Sequence, residues 1–336
     1  MAVRYDFASD NAAGAMPEVW PALAAADAGP AVGYGADAVS ARAADLIRAA
    51  FDADAEVRFL ASGTAANALA LSCIVQPHEA VAAHAHAHVT IDETGAPSFF
   101  SAGLGLIPLP GASGRIDPAA LAPVLARPDI AHMQPCAALS VTQTTEYGAV
   151  YSETELAALV GAAKTAGRRV HLDGARLANA VAAGFDLKAL PRLGVDIAVM
   201  GGTKAGSTPS EALVVFDSAA ARRLDARLKH TGQLVSKGRY LAAPWIGMLE
   251  TGAWTSRAAH ANAMARALAE RMPFPLAHPV ESNAVFVTMD LAAHDHLRAK
   301  GWMVYRVADG SVRFMCAWST TVDDVEAIAS ALAEVA

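Results

Sequence analysis

The sequence predicts an α/β fold, a mostly parallel sheet flanked by helices, with a smaller α+β domain at the C-terminal end. Three observations carry that expectation. Short apolar runs alternate with helical runs from Val57 to Phe216, and βαβα order builds parallel sheets. Two apolar runs end in glycine turns that carry chemically active side chains, Asp173-Gly174 and Gly201-Gly202-Thr203-Lys204. In open α/β sheets, ligands sit beyond such strand ends. At 336 residues, the chain is long enough for one large domain with a sizeable core and a second, smaller one.

Residues 1–30, with Ser9-Asp10-Asn11 and several Gly and Pro turns, show no strand alternation. They read as an arm lying over something else, a neighbouring subunit included. The large domain is expected over 31–245. It opens with the turn Val32-Gly33-Tyr34-Gly35 and a helix over 40–51 with Ala, Leu and Ile on one face. Residues 57–60 form a strand that leads through Ser62-Gly63-Thr64 to a helical run over 68–75. Residues 80–88 alternate as a strand would, which places His84, His86 and His88 on one face. A strand at 104–109, a helix at 118–125 and a buried strand at 137–141 follow. Ser152 and Glu155 have capping-box spacing for a helix reaching Ala166. The strand before Asp173 leads to a helix over 175–183. Strands at 196–200 and 212–216, a basic-edged helix at 219–230 and a long helix at 237–251, despite Pro244, complete the domain. The small domain, 246–336, holds a helix at 258–270, strands at 284–288 and 312–315, and a terminal helix.

A formal charge of −7 and a pI near 5.9 argue against nucleic acid or an anionic membrane as partner. No apolar run approaches the roughly 20 residues of a spanning helix, and the N-terminus lacks the pattern of a signal peptide. Cys73, Cys136 and Cys316 are odd in number and far apart, which fits a reducing cytoplasm better than a disulfide framework.

The chemistry centres on residues 173–204. Singly, Asp173 reads as a helix N-cap and Lys204 as a solvated surface lysine. Together, an acid and an amine brought to one rim suit pyridoxal phosphate: the acid holds the pyridine nitrogen protonated and the amine forms a Schiff base. Gly63 and Thr64, between a strand and a helix, form an anion cradle for a phosphate, though a threonine N-cap explains the same residues. The three histidines suggest a metal site or an imidazole over a cofactor ring. Zinc seldom takes three successive same-face strand positions, so no metal is expected, and His84 and His86 read as a hydrogen-bonded or solvated face.

The pieces Ser9-Asp10-Asn11, Tyr34-Gly35, Ser62 through Asn67, His88 through Glu93, His171 through Arg176 and Gly202-Thr203-Lys204 occur in one order. Together they resemble the low-specificity L-threonine aldolases and phenylserine aldolases of pyridoxal-phosphate fold type I, the aspartate-aminotransferase-like superfamily. The resemblance runs from about residue 6 to the C-terminus. It implies Lys204 as the Schiff-base lysine, with Thr203 beside it, and Asp173 as partner of the pyridinium. It implies Gly63 and Thr64 as the phosphate turn and His88 as the imidazole stacked on the ring. Ser9, Arg176 and Arg313 match the groups gripping the substrate carboxylate, with Arg176 also near the cofactor. Lys229 falls where the family has a lysine reaching a neighbour's phosphate, which implies a homodimer or homotetramer with shared sites. One departure stands out: the loop Thr142-Gln143-Thr144-Thr145-Glu146 lacks the histidine that many members carry to contact the substrate hydroxyl.

The reaction so implied cleaves an L-β-hydroxy-α-amino acid to glycine and an aldehyde. Arginine suits the task of fixing the α-carboxylate and hence which bond breaks. His88 is the first candidate for taking the β-hydroxyl proton, with Glu93 or a phosphate-bound water as alternatives. Rival readings are another fold-type-I enzyme (an aminotransferase or β-eliminating lyase), a metal-dependent hydrolase using His84, His86, His88 and Asp173, and a non-catalytic interaction module.

Overall fold

The computed structural model describes residues 3–335. Seven strands form the principal sheet: β1 (Glu56–Leu60), β2 (Ala80–His84), β3 (Gly105–Leu109), β4 (Cys136–Thr142), β5 (Arg169–Gly174), β6 (Ile197–Gly201) and β7 (Glu211–Val215). Their order is β1-β7-β6-β5-β4-β2-β3. The pairs from β6 through β5, β4 and β2 to β3 are parallel, whereas β7 runs antiparallel to both β6 and β1. The expected mostly parallel sheet is therefore present, with one reversed strand. That reversal matters for the site, because it puts the start of β7, Glu211, beside Gly201 at the end of β6.

Both faces of the sheet are covered, which is why its central strands read as nearly continuous apolar runs. The strand period of two sends alternate residues to opposite cores. Val199 and Leu213 pack with Leu69 and Ala70 of the Gly63–Ile74 helix. Leu172, Ala198, Met200 and Val214 pack on the other side with Leu159, Trp245 and Met248. The capping box at Ser152 and Glu155 is formed at the head of the Glu153–Thr165 helix. The Arg239–Glu250 helix continues through Pro244, with Trp245 donating its indole N–H to Ser210 Oγ at 2.8 Å.

A second, three-stranded antiparallel sheet comprises β8 (Ala284–Val287), β9 (Tyr305–Arg306) and β10 (Val312–Met315), in the order β8-β10-β9. It has its own core, with Val285, Val287, Phe314 and Ile328 among its members. The Ala253–Ala269 helix serves both: Trp254 and Ala258 belong to the larger core, Ala265 and Leu268 to the smaller.

The structure departs from the sequence reading in several places. The N-terminal segment is stitched onto its own chain: Arg4 N–H donates to Gly301 O, Met315 N–H to Phe7 O, and Phe7 is buried in the small core. It also contains a helix, Val19–Ala26, packed on the Arg239–Glu250 helix. The helix expected from Ala68 starts five residues earlier, at Gly63, because Ser62 caps it by accepting the N–H of Ala65. The run over 219–230 is broken into Ser218–Ala221 and Leu224–His230. Most consequentially, the alternating histidine strand stops at His84. The His84 Nδ1 atom accepts the N–H of His86 and its carbonyl accepts that of Ala87, so the side chain turns the backbone away from the sheet.

Candidate active site

The two strand-end turns singled out in the sequence interlock. Gly174 and Gly201 are glycine for the same reason: a Cβ on Gly174 would lie 2.2 Å from Val199 O, and one on Gly201 would lie 2.2 Å from Ala175 O. Adjacent parallel strands β5 and β6 thus bring the Asp173-Gly174-Ala175-Arg176 and Gly201-Gly202-Thr203-Lys204 turns into direct backbone contact. Lys204 is half-buried on its turn, with no ion pair or hydrogen bond among the described residues. Thr203 is turned inward, its hydroxyl accepting the N–H of Ser210 at 3.1 Å, so it knits the turn together. Ser207, on the same turn, has a buried hydroxyl without a partner.

Asp173 is 1% exposed. Its Oδ1 accepts the N–H of Ala175 at 3.0 Å and its Oδ2 accepts Asn67 Nδ2–H at 3.0 Å. The same Asn67 amide donates to Glu93 Oε1 at 2.9 Å, and Glu93 Oε1 lies 2.8 Å from His88 Nδ1. A continuous polar chain therefore runs from Asp173 through Asn67 and Glu93 to His88. Burial alone would lower the His88 pKa, but the hydrogen bond to Glu93 and the charges of Glu146 and Asp173 together outweigh it, and the net displacement is upward. Burial raises the Glu93 carboxyl as well, against the pull of His88 and Asn67. Asn67 Oδ1 and Glu93 Oε2 are buried without partners.

Gly63 and Thr64 open the 12-residue Gly63–Ile74 helix. Ser62 satisfies the N–H of Ala65 only, and a Cβ on Gly63 would meet nothing within 4 Å. The helix therefore presents its first N–H groups and its positive dipole end to open space, the arrangement that receives a phosphate.

Two arginines lie within electrostatic reach of the same Glu146 that acts on His88. Arg176, 7% exposed, makes a bidentate pair with fully buried Asp10: Nε to Oδ2 at 2.6 Å and Nη2 to Oδ1 at 3.0 Å. Burial pushes the Asp10 carboxyl up, yet the Arg176 guanidinium holds it below the usual carboxylate range. Asn283 adds a contact to Asp10 Oδ2 at 3.3 Å. Arg313, on β10, donates from Nη2 to Ala8 O at 3.2 Å and has a buried Nε without a partner. Burial, followed by the charge of Arg176, lowers its pKa. Ser9 caps the short turn Asp10–Ala12 through Asn11 N–H, beside these groups in sequence.

One expectation needs correction. The three histidines form no common face: His84 Nε2 is bound to Gly111 O, His86 Nδ1 to Tyr147 Oη, and His88 to Glu93. Among the described residues no group of three metal-ligating side chains is assembled. Lys229 does not join the cluster in its own chain. It is exposed near the end of the Leu224–His230 helix, 5.0 Å from the ring of Tyr34.

Sequence reasoning missed Asp10, Asn67 and Glu211 as members of the site. Glu211 is buried with Oε2 accepting the N–H of Gly202 at 2.9 Å, and burial raises its pKa to about 7. A signal existed for two of them: Asn67 is a lone amide in an alanine-rich helix, and Glu211 a lone acid opening an apolar strand. Asp10 was visible only as the middle of Ser9-Asp10-Asn11, with nothing to point to its partner, because its arginine lies 166 positions away.

As assembled, the cluster offers a free amine, a buried carboxylate, a helix N-terminus open to an anion, an imidazole tied to a carboxylate, and two arginines. Comparison with known proteins agrees with that chemistry. The profile of the family described as "Beta-eliminating lyase" matches residues 6–292. The low specificity L-threonine aldolase of Pseudomonas aeruginosa is 43% identical over 331 residues, 96% of this chain and 95% of that one. Its namesake from Saccharomyces cerevisiae is 25% identical over 98% of this chain and 86% of its own. The solved threonine aldolase of Leishmania major superposes with a TM-score of 0.92 at 29% identity, covering 99% of this chain and 100% of that one. A Sphingomonas wittichii serine palmitoyltransferase, at 14% identity and a TM-score of 0.73, shares the fold. The chain accordingly belongs to the β-eliminating lyase family, in the branch that holds the low specificity L-threonine aldolases.

Proposed function

We propose that this protein is a pyridoxal-phosphate-dependent aldolase that cleaves L-β-hydroxy-α-amino acids, threonine among them, between Cα and Cβ to give glycine and an aldehyde. The observation that carries the reading is the interlocked pair of turns bearing Asp173 and Lys204, joined by the polar chain from Asp173 to His88 and accompanied by Arg176 and Arg313. The residues fit the cofactor, since Ser207 Oγ, Asn67 Oδ1 and Glu93 Oε2 are buried polar atoms still lacking partners, and the Gly63 cradle is open.

Pyridoxal phosphate, when bound, supplies an electron sink conjugated to the substrate's α-carbon. Lys204 supplies the amine that anchors it covalently. Asp173, oriented by Ala175 N–H and Asn67, keeps the positive charge on the ring nitrogen favourable. The first N–H groups of the Gly63–Ile74 helix hold the phosphate. Arg313 and Arg176 would grip the α-carboxylate and so select which bond at Cα is cleaved. His88, held by Glu93, would contact the cofactor and accept the β-hydroxyl proton. Exposed Lys229 supports a homodimer or homotetramer in which it reaches a neighbouring subunit's phosphate. The three free cysteines support a cytoplasmic location, and no described helix is long and apolar enough to cross a membrane.

The test is a product assay with L-threonine, L-allo-threonine and L-phenylserine in parallel. Equimolar glycine and aldehyde are expected. A keto acid would instead establish the rival reading of an aminotransferase or β-eliminating lyase.

A further inference from the structure

Beside Arg313 lies a cavity of about 340 Å³ that the groups named so far do not fill. His86, Ile91, Asp92, Glu146 and Tyr147 line it from the large sheet's side, and Arg313 from β10. It adjoins the catalytic cluster electrostatically: Glu146 acts on the charges of His88, Arg176 and Arg313 alike. If Arg313 holds a substrate carboxylate, the substituents of the substrate's β-carbon have this space to enter.

One hydrogen bond organises the cavity wall. Tyr147 Oη and His86 Nδ1 are 2.5 Å apart. Tyr147 itself is fixed: its ring stacks on His278 at 4.3 Å between centroids and meets Phe286 edge-on at 5.6 Å. His278 in turn is held by Asp309 at 2.6 Å from Nε2 and by Ser113 at 3.1 Å from Nδ1. Burial raises the Tyr147 phenol to about 12, so it keeps its proton, and His86 Nδ1 is its acceptor. The imidazole then carries its own proton on Nε2, which has no protein partner among the described residues. A hydroxyl both donates and accepts: its oxygen is free to accept this N–H while its own proton goes to His88, the acceptor proposed above.

We propose that this cavity receives the β-carbon substituents of the amino acid, and that His86, its tautomer set by Tyr147, donates from Nε2–H to the substrate's β-oxygen. His86 is then a specificity-determining contact, acting on substrates with a β-oxygen and not on glycine, which has no β-carbon. The inference rests on the aldolase reading and adds the residue that recognises the hydroxyl.

The test compares wild-type holoenzyme with His86→Ala and Tyr147→Phe. The readouts are glycine affinity, from the change in cofactor absorbance, and kcat/KM for L-threonine cleavage. In His86→Ala, kcat/KM for threonine should fall about tenfold, the worth of one hydrogen bond, while glycine affinity stays within about twofold. Tyr147→Phe, which keeps the stacking on His278 and Phe286, should lower threonine turnover in the same direction with glycine binding retained, so the result does not depend on one variant folding. Parallel losses for glycine and threonine, or no loss for either, would overturn the assignment. The wild-type control separates the two levels: if wild-type enzyme releases no glycine from threonine, the aldolase reading itself fails. If it does and the variants do not discriminate, only the His86 assignment fails.

Discussion

Asp10→Ala is a substitution whose consequence only the long-range pairing with Arg176 reveals. It removes both acceptors of a bidentate pair with Arg176, whose side chain is 7% exposed against 0% for Asp10, and one contact of Asn283. Removing one partner of a buried ion pair leaves the other charge uncompensated and typically costs about 3–5 kcal/mol. Here Arg313 compounds the loss, since its charge lies close enough to Arg176 to lower its own pKa. Set against an ordinary stability of roughly 5–15 kcal/mol, the variant should unfold at markedly lower urea. Asp10→Asn keeps the shape and one acceptor and should lose less, about 1.5–3 kcal/mol for a charge-assisted hydrogen bond. The sign of the pH dependence follows from the depressed carboxyl. A folded pKa below the ordinary value of 3.8 means that the stabilisation is fully present above that value and is lost as pH falls through the folded pKa. Asp10→Asn should lack this acid-side loss. The assay is urea denaturation of holoenzyme at neutral and acid pH, together with glycine affinity, which should weaken because Arg176 loses its orientation. Wild-type stability and wild-type glycine affinity in Asp10→Ala would refute the argument.

Glu211→Gln should shift stability in the opposite direction. The folded carboxyl is raised to about 7 from an ordinary value of 4.5, so wild-type stability declines as pH rises from the lower value to the upper. The variant should be free of that decline and more stable above pH 7 by on the order of 3 kcal/mol; coincident wild-type and variant thermal curves at pH 8 would contradict this. Asp173→Asn should retain cofactor but lose turnover by roughly 100-fold or more, as when a preorganised electrostatic partner is removed. Steady-state cleavage at saturating cofactor checks this, and near-wild-type kcat would argue against the role given to Asp173.

The framework was legible because strand, glycine turn and helix signals are local. Apolar runs at 57–60, 137–141 and 212–216 became strands in a doubly covered sheet, and Ser152 with Glu155 became a formed capping box. Asp173 and Lys204 could be placed on one rim because strand ends share an edge of a parallel sheet. What escaped was whatever depends on long-range partners. The Asp10–Arg176 pair closes a loop of 166 residues, and the reversal of β7 that buries Glu211 under the lysine turn has no local signature. The histidine strand was misread for a related reason. Period-two spacing at 84–88 is what a strand requires, but the His84 side chain competes for backbone N–H groups and ends the strand.

The most direct measurement is borohydride reduction of the purified holoenzyme, followed by proteolysis and mass spectrometry of the labelled peptide. The account predicts a single pyridoxyl adduct, on Lys204, and none in Lys204→Ala. An adduct on a different lysine, or undiminished labelling of the variant, would contradict it.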